Sequence, residues 1–84
     1  MRPTVTLYSR PGCGLCRRAR EDLERARRWM RFEVVEVDVS TDDDLERRYG
    51  LRIPVVVLDG EELAEIEVDR AVLRRAVRSA RRRR

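Results

Sequence analysis

Apolar positions along the chain fall into alternating strand-like and helix-like stretches. "TVTLY" (4–8) is a β-rich run that puts Val5 and Leu7 on one face, and "SRPG" breaks it. From Gly14 to Met30 the spacing turns helical: Cys16, Ala19, Leu23, Ala26 and Met30 recur every three or four residues along one stripe, and arginine and glutamate fill most of the remainder. Trp29, near the end of that stripe, is expected to pack. "FEVVEVDV" (32–39) alternates, with Val35, Val37 and Val39 on one side, and predicts a strand.

"STDDDLERRYG" predicts a short helix. Ser40 or Thr41 can cap it, Asp42 to Asp44 suit the positive end of its dipole, and Gly50 can take a left-handed terminal position. "PVVVLDGEELAEIEV" predicts a hairpin. Val55 to Leu58 are continuously apolar, Asp59-Gly60 signals a type I′ turn, and the return strand alternates Ala64, Ile66 and Val68 with Glu65 and Glu67, as an edge strand does. Asp69 can cap a last helix with Val72, Leu73, Ala76, Val77 and Ala80 inward. The order is β-α-β-α-β-β-α. The first β-α-β should be parallel, and the natural closure is an α/β fold with a four-stranded mixed sheet and helices on both faces.

Length and charge narrow this picture. Eighty-four residues suffice for one domain (1–80) and a basic tail (81–84). The net charge of +4 resides in that tail of four arginines; the body carries 16 basic and 16 acidic residues and is neutral. Nucleic acid is therefore not an expected partner. All 20 basic residues are arginine, and the absence of histidine removes that residue as a general base or metal ligand. No stretch approaches the roughly 20 apolar residues of a membrane span, and "MRPTVTLYS" lacks the apolar run of a signal peptide. The expected compartment is the cytoplasm, without membrane association, where thiols are kept reduced.

The two cysteines then become the candidate chemistry. Cys13 stands at the helix start and Cys16 on the core-facing stripe, so Cys13 should be exposed and Cys16 buried. A dithiol catalyst needs one sulfur to attack a disulfide and another to resolve the mixed disulfide. At a reference pKa near 8.5 only about 3% of a thiol is ionised at pH 7; a helix N-terminus contributes about 0.3–1 kcal/mol toward the thiolate. Backbone N–H groups near Gly14 and Leu15, and the guanidinium of Arg10 or Arg17, can add to it. Gly12 and Gly14 leave the sulfur uncrowded, and Pro11 fixes the path into the helix. A tetrahedral metal site needs four ligands, so two cysteines without histidine leave one chain two short, and no metal is assigned. The alternative to catalysis is a binding module that carries a metal or iron-sulfur cluster bridged between chains, or that docks a partner without turnover.

"VTLYSRPGCGLC" followed by "LRIPVVVLDG" resembles the glutaredoxin branch of the thioredoxin-fold superfamily, over essentially residues 3–80. The resemblance implies a thiol-disulfide oxidoreductase with Cys13 as nucleophile and Cys16 as resolving cysteine. It implies that Pro54 is a cis-proline beside the active-site sulfur, which leaves the backbone of Ile53 free to pair with substrate. Tyr8 matches an aromatic substrate-contact position, and Arg10 a basic position that holds the carboxylate of glutathione. Asp69 matches an acidic position only weakly and reads as a helix cap. "AEIEVDRA" lacks the glycine pair of many glutaredoxins, and "WCGPC" of thioredoxins is absent. No bound cofactor is implied. The expected partners are a disulfide-containing protein or small molecule and a reductant, either glutathione or a thioredoxin reductase.

Overall fold

The computed structural model describes residues 2–65, together with Arg75 and Arg78, which are helical and exposed. Strand β1 (Thr4–Ser9) leads through a turn into helix α1 (Gly14–Ala26), then β2 (Glu33–Asp38), a 3-10 turn (Val39–Thr41), helix α2 (Asp43–Tyr49), and the hairpin β3 (Val55–Leu58) and β4 (Glu61–Glu65). Of the helix expected beyond Asp69 only Arg75 and Arg78 are described; its other residues, the outer half of the return strand and the arginine tail lie outside the described residues.

The sheet order is β2-β1-β3-β4. As expected for a β-α-β unit, β2 runs parallel to β1, with Val5 opposite Val34 and Leu7 opposite Glu36. The other neighbouring pairs are antiparallel. Asp59 and Gly60 both take positive φ, as a type I′ turn requires.

Because side chains alternate across a strand, β3 serves two cores. Val56 and Leu58 join Val5, Leu7, Ala19, Leu23, Ala26 and Phe32 beneath α1. Val55 and Val57 join Val39 and Tyr49 on the α2 side. All four β3 residues are buried, which explains the continuous apolar run. The two helices therefore cover opposite faces, as the sequence predicts.

Four local expectations are corrected. Helix α1 stops at Ala26 rather than continuing to Met30, since the N–H groups of Arg28 and Trp29 bond to the carbonyls three residues back. That tightened end turns Trp29 outward, 75% exposed, while Met30 and Phe32 pack on the core. Helix α2 is capped by Asp42, whose carboxylate accepts from the N–H groups of Asp44 and Leu45; Ser40 and Thr41 are taken up by bonds to Asp38. Gly50 is right-handed helical, not left-handed. What requires glycine there is space: an added Cβ would lie 2.5 Å from the Glu46 carbonyl and 2.6 Å from Glu46 Oε1.

Candidate active site

The loop from β1 to α1 carries the chemistry. Gly12 has φ of 79°, a conformation that suits glycine, and so turns the chain toward the helix. Cys13 remains extended and acts as the N-cap of α1, while Arg17 N–H bonds to its carbonyl. Cys16 lies one turn on, on the buried stripe.

The pair has the asymmetry expected from that stripe. Cys13 is half-buried and Cys16 is 1% exposed. Their sulfurs are at disulfide distance, with Cα atoms 5.2 Å apart. Cys13 Sγ also accepts the N–H of Cys16 at 3.2 Å. A backbone donor directed at this sulfur stabilises negative charge on it. The first turn of α1 contains no acidic residue that would oppose that charge.

The peptide between Ile53 and Pro54 is cis, as the resemblance implies. Pro54 is buried and Ile53 half-buried against the α2-side cluster. Tyr8 pairs with Val55 at one end of the β1–β3 ladder. That end carries both the residues leading to Cys13 and the Ile53–Pro54 peptide, so the register brings the two sequence motifs together.

Tyr8 and Arg10 have partners within the fold. Tyr8 faces the α2 side and stacks on Tyr49, with ring centroids 4.2 Å apart. Burial pushes its phenol above the ordinary value, and Tyr49 adds to the shift. The Arg10 guanidinium pairs with the Glu46 carboxylate and donates to the Gly50 carbonyl at 3.2 Å. A ligand carboxylate that binds Arg10 competes with Glu46.

Sequence reasoning missed a second polar group beside the loop. The hydroxyl of Ser9, which is 4% exposed, donates to Glu36 Oε2 at 2.7 Å. Arg20 of α1 donates to both Glu36 oxygens at 2.6 Å. The Arg20 hydrogen bonds hold the Glu36 carboxyl below its usual range; partial burial opposes this and Ser9 assists it. The available signal was Glu36 itself, which shares a strand face with Val34 and the core-facing residues of β1.

Two shallow clefts flank this group. One, of about 290 Å³, is lined by residues 10–14 with Arg17 and Arg20. The other, of about 210 Å³, is lined by residues 9–11 with Arg20, Glu36 and Asp38. Among the described residues no cluster of three or more acidic or cysteine ligands is placed to hold a metal ion, and no helix is long and apolar enough to cross a membrane.

A mixed sheet covered on both faces, a Cys-x-x-Cys pair heading one helix and a cis-proline opening the facing strand define a thioredoxin-like protein. Comparison with known proteins narrows the class. The profile of the glutaredoxin-like domain (DUF836) matches residues 4–78, and the chain belongs to that family. Uncharacterized protein Rv0508 of Mycobacterium tuberculosis is 37% identical over 78 residues, covering 87% of this chain and 80% of the relative. The X-ray structure of XcR50 from X. campestris is similar with a TM-score of 0.75 and 36% identity, covering 89% of this chain and 96% of that one. A mutant thioredoxin from Halobacterium salinarum superposes with a TM-score of 0.66 and 26% identity, covering 92% and 73% of the two chains.

Proposed function

We propose that the protein is a thiol-disulfide oxidoreductase that works by dithiol exchange. The observation that carries this reading is the placement of the two sulfurs: Cys13 half-buried at the head of α1, where it lines a cleft, and Cys16 buried one turn behind it, at disulfide distance. In the reducing direction the Cys13 thiolate attacks one sulfur of a substrate disulfide. A mixed disulfide forms and the first substrate thiol leaves. Cys16 then loses its proton and attacks Cys13 Sγ, which forms the Cys13–Cys16 disulfide and releases the second thiol. Two electrons pass from the protein to the substrate.

In this reading Ile53 and Pro54 form the second wall of the site, and the backbone of Ile53 pairs with the substrate. Tyr8 supports that wall, and Arg10 meets a substrate carboxylate only by leaving Glu46. The substrate is a disulfide-containing protein or small molecule in the cytoplasm. Glutathione or a thioredoxin reductase restores the dithiol.

The test mixes oxidised protein with glutathione and, separately, with a thioredoxin reductase system. Turnover is followed on bis(2-hydroxyethyl) disulfide. Reduction by one of the two systems, with turnover lost in Cys13→Ser, supports the reading; failure of both systems to reduce the pair rejects it.

A further inference from the structure

The cleft beside Cys13 contains three guanidinium groups, and their pairing separates them. Arg10 is neutralised by Glu46 of α2. Arg20 is neutralised by the two oxygens of Glu36. Arg17 also lines the cleft and is exposed, yet it forms no side-chain hydrogen bond or ion pair among the described residues. Glu21, one turn further along α1, makes no ion pair with it. Among the described residues, the cleft that contains the attacking sulfur therefore presents one guanidinium without an ion-pair partner, borne on the residue that follows Cys16.

We infer that Arg17 sets the substrate class of this site, favouring disulfides that carry a carboxylate or comparable anion near the scissile S–S bond. The inference rests on the dithiol-exchange reading and adds a selectivity to it. A charge on the cleft wall attracts an anionic disulfide before the sulfurs react and repels a cationic one. It acts on encounter and on the mixed disulfide alike. Arg10, in contrast, can contribute only after it breaks its contact with Glu46. The balance of the exchange is unchanged: one substrate thiol leaves as Cys13 is captured, and the second as Cys16 closes the ring.

The experiment uses the full chain, reduced and freed of reductant. It is mixed with three aliphatic disulfides: 3,3′-dithiodipropionate, which is anionic, bis(2-hydroxyethyl) disulfide, which is neutral, and cystamine, which is cationic. Each rate is divided by the rate of the same disulfide with free dithiothreitol, which removes intrinsic reactivity. The unaltered protein is expected to favour the anionic over the neutral disulfide by about fivefold, the factor supplied by one charge contact at roughly 4 Å in water. Cystamine should be disfavoured. Raising salt to about 0.5 M should collapse the ratio, because the screening length then falls to about 4 Å.

In Arg17→Gln the anionic-to-cationic ratio should fall toward one, in Arg17→Glu it should invert, and in Arg17→Lys it should persist. A change in Cys13 reactivity alone would move all three rates together and leave the ratio intact. A ratio near one in the unaltered protein, or one unchanged in Arg17→Gln and Arg17→Glu, would overturn the inference while leaving dithiol exchange standing. Failure of all three disulfides to oxidise the unaltered dithiol would overturn the exchange reading and the selectivity with it.

Discussion

The backbone N–H of Cys16 donates to Cys13 Sγ at 3.2 Å, so the accessible sulfur caps the helix that buries its partner. The two sulfurs differ in both solvent access and electrostatic support. In the reduced protein, limiting iodoacetamide is expected to alkylate Cys13 at least about tenfold faster than Cys16, since attack requires a solvent-accessible thiolate. Peptide mass mapping reads the two sites separately. Equal labelling would contradict the assigned roles.

Removal of either sulfur should stop the exchange at a different point. Cys13→Ser is expected to abolish turnover with no covalent adduct. Cys16→Ser should retain the attack and accumulate a mixed disulfide with the substrate, visible by intact mass under non-reducing conditions. An adduct on Cys16 in the Cys13→Ser protein, formed as rapidly, would reverse the assignment.

The Ser9–Glu36–Arg20 group joins α1 to the edge strand β2. Its carboxylate is held below the ordinary glutamate value of 4.5, chiefly by Arg20. A depressed folded-state value means that the contribution to stability is present above about pH 4.5 and is lost as pH falls through the folded-state value. The side chains of Arg20 and Glu36 are 45% and 32% exposed, so the pair contributes only about 1 kcal/mol. Glu36→Gln should cost that much near pH 7 and much less near pH 3, as measured by urea unfolding. An equal cost at both pH values would show that charge pairing is not the cause.

Gly50 is expected to tolerate no side chain. Gly50→Ala places a methyl group against the Glu46 carbonyl and should destabilise the protein by about 1–3 kcal/mol, the usual range for forced overpacking. Chemical denaturation measures the loss. A neutral or stabilising result would show that the α2 terminus relaxes freely.

Much of the fold was legible because it is locally encoded. The Cys16, Ala19, Leu23 and Ala26 stripe, the apolar run of β3 and the Asp59-Gly60 turn each follow from neighbours a few residues apart. The asymmetry between Cys13 and Cys16 follows from the same stripe. The contacts that shape the surroundings of the site join distant positions: Ser9 and Arg20 meet at Glu36, Arg10 meets Glu46, and Tyr8 stacks on Tyr49. Periodicity carries no information about which charges become partners across the sheet. Element ends were misread for a related reason. Several candidate caps compete within one short segment: Ser40 and Thr41 bond to Asp38 and leave Asp42 to cap α2, while the tightened end of α1 turns Trp29 outward and leaves Met30 on the core.

The four residues of β3 act as a partition wall with one room on either side. Val56 and Leu58 furnish the α1 room, and Val55 and Val57 the α2 room. A shift of one residue in that strand would move each pair into the wrong room at once. Neither half can therefore repack without disturbing the other. The placement of the Ile53–Pro54 peptide opposite the cysteine loop is locked by the same four side chains that fill both cores.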